Sequence, residues 1–336
     1  MFGYEKIELK TQKGKYFCCN IKKVSKKLEE VDRLIDQYNF LRYYSEPERE
    51  LQEGIIGEDS PQRRLNQENG YEFILRRPHI DEDNLHMLYD ILSAKQLDED
   101  SELEEEHSYR KKSVLILKND PDRIGNLFYV PEFDRGVPAE DVKLYMDSLF
   151  EYLTKKDLDP YIKAQIAHFY FVYIHPFYDV NGRTARTLSS WYLVNKNNKP
   201  GTIINRGISF NKQKYLSSIR KSRQGDLTPF IEFSFDTLKD ELQLQIKLRL
   251  FKDKYNLSKE ELETLELLLR TTNKKIGDLA NIFLYQKGIS SRKMVSVRLM
   301  HLLEKNVVSL NKETKEIIIP DLIERKKIYR RKYEPR

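Results

Sequence analysis

Cysteine is almost absent from this chain. Its two cysteines, Cys18 and Cys19, are adjacent, and neighbouring cysteines rarely reach unstrained disulfide geometry. Adjacent residues also lack the spacing of a structural zinc site. A disulfide scaffold and a spaced zinc site are therefore excluded, and we expect the chain to work in a reducing compartment.

Long hydrophobic runs are also missing. A membrane-spanning helix needs about 18 apolar residues, whereas the most apolar stretch here covers only residues 169–174. The segment Met1 to Glu5 has no basic region followed by an apolar run, so no secretory signal is visible. We therefore expect a cytoplasmic protein without a membrane partner.

Neither sign of charge dominates. The 59 basic and 53 acidic residues give a formal net charge of +6, which is too small for 336 residues to indicate nucleic-acid binding by itself. With 39% hydrophobic and 33% charged residues, the composition is that of a globular protein. The length favours two or three packed units.

Apolar residues recur at helical spacing over most of the chain. Between residues 21 and 44 they lie three or four positions apart, which predicts an N-terminal helix with one buried face. The same period continues through 139–152, 162–174 and 184–194, and a long helical pattern runs from residue 235 to about 255. The sequence therefore predicts a mainly α fold.

One short region in the middle of the chain is predicted to be β structure. Residues 113–117 and 126–131 are rich in β-forming residues and are separated by turn residues, which indicates a hairpin. Before it, seven of the nine residues 98–106 are carboxylates, and their mutual repulsion favours a solvated loop.

The last third of the chain has the element order of a winged helix-turn-helix. Three helical patterns precede two apolar runs, 307–310 and 316–319, with a polar turn between them. The third helical pattern carries Arg292 and Lys293, and a basic segment, 325–332, follows the second apolar run. DNA is therefore one candidate partner of this domain, and a solvated tail or a protein contact explains the same residues equally well.

The segment 174–186 concentrates groups suited to phosphate chemistry. Asn181 and Gly182 open a predicted helix, and the N–H groups at a helix start bind anions. Arg183 and Arg186 are three positions apart, so both guanidinium groups leave one helix face towards the same anion. A phosphorylated ligand would suit this arrangement.

Two further residues extend this set. Asp179 would repel a phosphate unless a cation lay between them, and one carboxylate with phosphate oxygens is the usual arrangement for Mg²⁺. His175 is the group in this loop that can accept a proton near neutral pH. A histidine before proline and an Asn-Gly turn are each usually structural, but their combination within twelve residues favours a phosphate site.

The segment resembles the signature of the Fic family, which runs His-Pro-Phe, any residue, Asp or Glu, Gly, Asn, Gly or Lys, Arg, two residues and Arg. The matching residues are His175, Pro176, Phe177, Asp179, Asn181, Gly182, Arg183 and Arg186. The similarity spans about residues 30–240. Val180 stands where the family has glycine, and a β-branched residue resists positive φ, so either the loop keeps negative φ or its phosphate cradle is altered.

The resemblance implies a fold and an activity. The fold is a Fic helical bundle with a small β-hairpin flap and a C-terminal winged helix-turn-helix. The expected domains are an N-terminal helical region (1–108), a catalytic core (109–250), and a winged-helix domain with its basic tail (251–336). Most Fic enzymes are protein adenylyltransferases, that is, nucleotidyltransferases that move AMP from ATP to a Ser, Thr or Tyr hydroxyl of a protein, sometimes of the enzyme itself.

The same resemblance assigns roles to individual residues. His175 would deprotonate the target hydroxyl, and Asp179 would hold Mg²⁺ at the triphosphate of ATP. The nucleotide-binding residues would be Asn181, Gly182, Arg183 and Arg186. The flap edge would bind the protein substrate as an added strand through Leu127, Phe128, Tyr129 and Val130, although ordinary packing explains these side chains equally well.

The resemblance also suggests a regulatory residue. Many family members are restrained by a glutamate on an inhibitory helix, which pairs with the second arginine of the signature. Glu53 followed by Gly54 lies where such a helix would be, but Arg49 replaces the Ser or Thr of that pattern. A solvated surface glutamate is the alternative.

Two other functions stay open on the sequence. One is a DNA-binding regulator with a degenerate or sensory Fic unit, which Val180 favours. The other is a hydrolase that removes AMP from a modified protein. The oligomeric state is also open, and a homodimer is one option.

Overall fold

The computed structural model describes residues 3–43, 60–99, 101, 103–117, 133–155, 158–196, 203–271, 275, 279 and 292–320. The chain divides into two compact units, Met1–Glu241 and Leu242–Arg336. Within the described ranges, no helix is both long enough and apolar enough to cross a membrane.

The first unit contains two β-hairpins and a series of helices. The antiparallel pairs are β1 (Tyr4–Lys10) with β2 (Tyr16–Asn20), and β3 (Leu115–Leu117) with β4 (Phe133–Arg135). The helices are α1 (Ile21–Tyr43), α2 (Pro61–Arg76), α3 (Glu82–Ser93), α4 (Val142–Thr154), α5 (Pro160–Ile174), α6 (Asn181–Asn195), α7 (Ile204–Phe210), α8 (Lys212–Ser222) and α9 (Thr228–Tyr255), of which α9 extends past the unit boundary.

Helix α5 lies in the middle of the first unit. All of its residues from Tyr161 to Ile174 are buried, because it packs against α4 and α6 and is covered by the first hairpin. Phe17 of β2 directs its ring edge at three aromatic rings of this helix, with centroids 5.2–5.9 Å apart: Phe169, Tyr170 and Tyr173. A helix buried on all sides can hold a functional group at its end in a fixed position.

The ends of α5 follow from local sequence. Asp159 caps the start by accepting a hydrogen bond from the Tyr161 N–H at 2.8 Å, and Pro160 occupies the first turn, where no intrahelical donor is needed. His175 ends the helix in a left-handed conformation, and Pro176 cannot continue it. The candidate base is therefore the residue that caps the end of this buried helix.

The structure confirms the predicted helices of the first unit and changes the description of its β structure. The predicted strand at 113–117 is present as β3, but its partner is β4 at 133–135, and the predicted partner at 126–131 lies outside the described residues. The acidic segment between α3 and β3 contains no helix or strand among its described residues. The first hairpin, β1 with β2, was not predicted.

The second unit contains α10 (Lys259–Arg270), α11 (Arg292–Glu304) and the antiparallel strands β5 (Ser309–Leu310) and β6 (Ile317–Ile318). Ser258 and Glu261 form a capping box at the start of α10. The core of this unit is mainly aliphatic and includes Leu265, Leu268, Leu299, Leu302, Val307 and Ile317. Most of the second predicted helix and the basic tail lie outside the described residues, so the winged helix stays a prediction.

Candidate active site

His175 has a specific backbone and ring environment. Its φ of 57° and ψ of 61° are left-handed, and its N–H donates to the Phe171 carbonyl oxygen at 2.9 Å. Ring atom Nδ1 lies 3.3 Å from the Val172 carbonyl oxygen. Because a carbonyl can only accept, Nδ1 carries the proton of the neutral ring and Nε2 carries the lone pair.

The His175 ring is neutral at physiological pH. Its pKa is lowered to about 4, chiefly by burial: the hydrogen bond to the Val172 carbonyl and the charge of Asp179 oppose this shift, and the positive charges of Arg110 and Arg223 add to it. A general base must be deprotonated before it acts, and this ring meets that requirement at pH 7.

The loop after His175 is closed by its own side chains. Phe177 stacks on Tyr89 with ring centroids 3.7 Å apart. The Asn181 amide accepts from the Phe177 N–H at 3.0 Å and donates to the Phe177 carbonyl at 2.8 Å. In this structure Asn181 therefore fixes the loop through the backbone of Phe177.

Val180 adopts a left-handed backbone conformation, which glycine accepts more readily than valine. Its φ is 62° and its ψ is 3°, so the loop does not keep negative φ at this position. The Val180 N–H donates to Asp179 Oδ1 at 2.6 Å, and the Val180 side chain is buried. The left-handed region costs a non-glycine residue about 1–2 kcal/mol, and the surrounding contacts offset that cost.

The Asp179 side chain is exposed at the mouth of this loop and lies close enough to His175 to influence its pKa. Among the described residues, no group of three or more His, Cys, Asp and Glu side chains could hold a metal ion. A single carboxylate still fits Mg²⁺, because this ion is commonly held by one or two carboxylates together with substrate phosphates.

The two signature arginines contact different neighbours. Arg183 is buried and donates from Nη1 to the Leu92 carbonyl oxygen at the end of α3, at 3.1 Å. Arg186 is half-buried and hydrogen-bonds with Tyr215, whose pKa burial raises to about 12 against the lowering effect of this arginine. The structure thus brings both arginines to the first turns of α6, with their side chains held by separate partners.

Sequence reasoning missed several residues around the loop. One of them is Arg110, which contacts the backbone of His175. Tyr178 accepts hydrogen bonds from the N–H groups of Lys111 and Lys112 at 3.1 Å each and donates to Glu104 at 2.6 Å. No spacing signal identifies such contacts, because the partners are more than sixty positions apart.

Some predicted site residues cannot be placed. Glu53, the candidate regulatory residue, and the flap residues Leu127, Phe128, Tyr129 and Val130 lie outside the described residues. Their roles stay predictions.

Comparison with known proteins identifies the segment that carries the site. Residues 79–193 match the family model of the Fic/DOC family. A protein adenylyltransferase Fic of Nematostella vectensis is 36% identical over 104 residues, which cover 30% of this chain and 23% of that protein. A protein adenylyltransferase Fic of Drosophila erecta is 31% identical over 139 residues, 41% of this chain and 25% of that protein. The chain therefore spans about a quarter of the length of these curated relatives.

A solved structure shares the fold. Fic-1 from C. elegans aligns over 70% of this chain and 74% of that chain, with 17% sequence identity and a TM-score of 0.50. The family match includes α3, the second hairpin, α5, the loop from His175 to Val180 and most of α6. Residues 79–193, which carry the candidate site, thus match the Fic/DOC family.

Proposed function

We propose that this chain is a protein adenylyltransferase, which transfers AMP from ATP to a Ser, Thr or Tyr hydroxyl of a protein. The observation that carries the proposal is a neutral histidine, with its lone pair on Nε2, six positions before a helix start that carries two arginines. The names of the relatives that match the Fic segment support the same activity.

The reaction requires one proton transfer that His175 can perform. The target hydroxyl oxygen attacks the α-phosphorus of ATP, and the hydroxyl proton moves to Nε2 of His175. The bond between the α-phosphorus and the oxygen that bridges to the β-phosphate breaks, and pyrophosphate leaves with the electron pair. Positioning and charge neutralisation supply most of the rate in such transfers.

The start of α6 suits the phosphates. Its first intrahelical hydrogen bond runs from the Thr184 N–H to the Val180 carbonyl oxygen, so the N–H groups of Asn181, Gly182 and Arg183 precede the helical ladder. These dipoles and the guanidinium of Arg186 favour negative charge at this end of the helix. Arg183 adds a further positive charge from its position beside Leu92.

Asp179 is the residue proposed to hold Mg²⁺, which would neutralise part of the triphosphate charge when bound. The other partners also stay proposals. They are a protein substrate at the flap, the chain itself as substrate, DNA at the C-terminal unit, and a second copy in a homodimer.

Val180 gives little support to a degenerate Fic unit. That alternative rested on the expectation that a β-branched residue would distort the loop, whereas Val180 adopts a positive φ of 62°. Because the loop keeps a backbone that glycine would also adopt, the adenylyltransferase is the better proposal.

The test is removal of the base. His175→Ala should lower AMP transfer by about two to four orders of magnitude, because the variant lacks the proposed acceptor of the hydroxyl proton. ATP affinity should stay close to that of the wild type, since the imidazole acts on the target hydroxyl. Transfer is measured with labelled ATP and Mg²⁺, and affinity by calorimetry.

The assay needs an unrestrained enzyme and a matched control. The parent protein and each variant derived from it carry Glu53→Gly, which would remove the proposed inhibitory glutamate. His301→Ala, at an exposed histidine of α11 in the other unit, should transfer AMP like the parent. Undiminished labelling by His175→Ala would refute the assignment of the base.

A further inference from the structure

Arg110 is a buried cation whose hydrogen bonds go to backbone carbonyls. Its side chain is 1% exposed. Nε donates to the His175 carbonyl oxygen at 2.7 Å and Nη1 to that of Lys112 at 2.8 Å. Nη2 donates to the carbonyl oxygens of Val137 and, at 3.4 Å, Ile174. The guanidinium thus connects carbonyls from three separate parts of the chain.

This environment is unusual for a buried arginine. Burial disfavours the charged form and lowers the pKa of Arg110, and buried arginines usually pair with carboxylates. Here a rigid planar guanidinium makes four hydrogen bonds to backbone carbonyl oxygens. Such an arrangement fixes the orientation of the peptide groups that supply those oxygens.

The peptide groups concerned surround the candidate base. The Arg110 N–H donates to the Pro176 carbonyl oxygen at 3.0 Å, so Arg110 contacts both peptides that follow His175. The Val137 N–H donates to the Ile174 carbonyl oxygen at 3.1 Å. The chain just beyond β4 and the end of α5 are therefore joined around one guanidinium.

Gly136 makes room for this arrangement. A Cβ atom at position 136 would lie 2.7 Å from Arg110 Nη2 and 3.2 Å from His175 Cβ. The first distance is shorter than real Cβ contacts, so a side chain there would displace the guanidinium. Arg110 and His175 thus both pack close to a position without a side chain.

We propose that Arg110 is a positioning residue that holds His175 in its left-handed conformation and so aims Nε2 at the target hydroxyl. A left-handed residue other than glycine needs external contacts to persist. The bond from Arg110 Nε to the His175 carbonyl supplies one at the peptide group that ψ of His175 orients. The kinetic part of this proposal rests on the proposed function, in which His175 is the base.

The first test separates positioning from stability. Arg110→Lys keeps the charge, but one ammonium group cannot reach all four carbonyls. A small displacement of a catalytic group can cost about a hundredfold in rate, so we expect kcat to fall by about ten- to a hundredfold while KM for ATP changes less than about twofold. The control is Arg206→Lys, at a buried arginine of α7 that pairs with Glu241 at 3.3 Å.

Both variants are compared at equal folded fraction. That fraction is measured from the fluorescence of Trp191, the one tryptophan of the chain. Arg206→Lys should keep its kcat. Wild-type kcat in Arg110→Lys, or a parallel loss in both variants, would overturn the proposal. If Arg110→Lys does not fold, Gly136→Ala serves in its place, because its methyl group displaces the same guanidinium.

The second test does not need turnover. In protein labelled with ¹⁵N-histidine, ring shifts report the protonated nitrogen, and His175→Ala assigns the signal. We expect Nδ1 protonation in the wild type, and a tautomer mixture with a raised His175 pKa in Arg110→Gln, since Arg223 and Asp179 would be the remaining charged neighbours. Arg206→Gln should match the wild type.

The two tests keep the proposals distinguishable. If the Glu53→Gly protein transfers no AMP but Arg110→Gln alters the His175 ring, the adenylyltransferase proposal fails and the positioning role stands. If Arg110→Gln leaves the ring signals unchanged, the positioning role fails whatever the activity.

Discussion

Left-handed backbone occurs at both ends of the candidate loop. His175 has a φ of 57° and Val180 a φ of 62°, and neither is glycine. Each conformation is disfavoured by itself, and a hydrogen bond with a neighbouring group holds each in place. Arg110 donates to the His175 carbonyl oxygen, and the Asp179 carboxylate accepts from the Val180 N–H. Strain of this kind is common at functional sites, where the surrounding structure over-determines the backbone.

The left-handed conformation of Val180 predicts that a glycine variant at this position is more stable than an alanine variant. Val180→Gly and Val180→Ala both lose a buried side chain, but alanine keeps the penalty of positive φ, whereas glycine does not. We expect the glycine variant to be more stable than the alanine variant by about 1 kcal/mol, in urea unfolding followed by Trp191 fluorescence.

Val31 provides the matched control for this order. It is buried in the interior of α1, where alanine is favoured over glycine by about 1 kcal/mol. Val31→Gly should therefore be the less stable of the two variants there. The same order at both positions would mean that Val180 does not have positive φ in solution.

Sequence alone located the loop because its residues are contiguous. His175, Asp179 and Arg186 fall within twelve positions, so spacing and residue type were enough to bring them together. Arg110 was beyond this reasoning, since it lies 65 positions from His175 and a charged residue is expected at the surface. The hydrogen bonds of Asn181 to Phe177 were also missed, because an Asn-Gly pair predicts a turn and not the partner of the amide.

At the scale of elements, the helical spacing of apolar residues predicted the helices, whereas the alternation of apolar residues in the first hairpin was not recognised as strand structure. The first hairpin was missed although its buried residues alternate with more exposed ones: Ile7 and Leu9 in β1, and Phe17 and Cys19 in β2. That alternation is the period of a half-buried strand, but it covers only two apolar residues in each strand. The packing of this hairpin on α5 could not be read from sequence at all.

The contact between this hairpin and α5 predicts a large effect of one substitution. Phe17 is fully buried against Phe169, Tyr170 and Tyr173. Phe17→Ala leaves a cavity and should lower the free energy of unfolding by about 3–5 kcal/mol. The adjacent Tyr16, which is 44% exposed, is the control, and Tyr16→Ala should cost less than about 1 kcal/mol.

Trp191 fluorescence in urea measures both changes, because Trp191 is buried in the same unit. Similar losses in the two variants would mean that the hairpin does not pack on α5 through Phe17.

At the scale of the whole molecule, the expected grouping of the elements was a separate inference from the elements themselves. Residues 1–108, 109–250 and 251–336 were the expected domains, and those boundaries stay a prediction. In the structure the first compact unit extends to Glu241 and includes helices from both of the first two segments. Periodicity identifies the buried face of a helix but not the element that covers it, so it cannot place such boundaries.

Two histidines, the buried His168 and the half-buried His175, connect the stability of the first unit to pH. Burial lowers the pKa of His168 to about 3 and that of His175 to about 4. In the unfolded chain a histidine binds its proton near pH 6.5. The unfolded state therefore binds more protons than the folded state below that value, and stability falls as pH is lowered from about 6.5 towards 4.

The last prediction assigns one part of this slope to His168. Each such proton contributes about 1.4 kcal/mol per pH unit between pH 4.5 and 5.5. His168→Gln cannot titrate, so its unfolding free energy should depend on pH less steeply by about that amount. Tyr215→Phe is the control: it removes the hydroxyl that lies 2.9 Å from His168 Nε2 but keeps the titrating ring. This variant should be less stable at every pH with the wild-type slope. Urea unfolding of the three proteins, followed by Trp191 fluorescence, gives each slope, and contributions from unchanged carboxylates cancel in the comparison. If His168→Gln keeps the full slope, the folded protein binds a proton at His168, and the ring is not shielded from water as its burial requires.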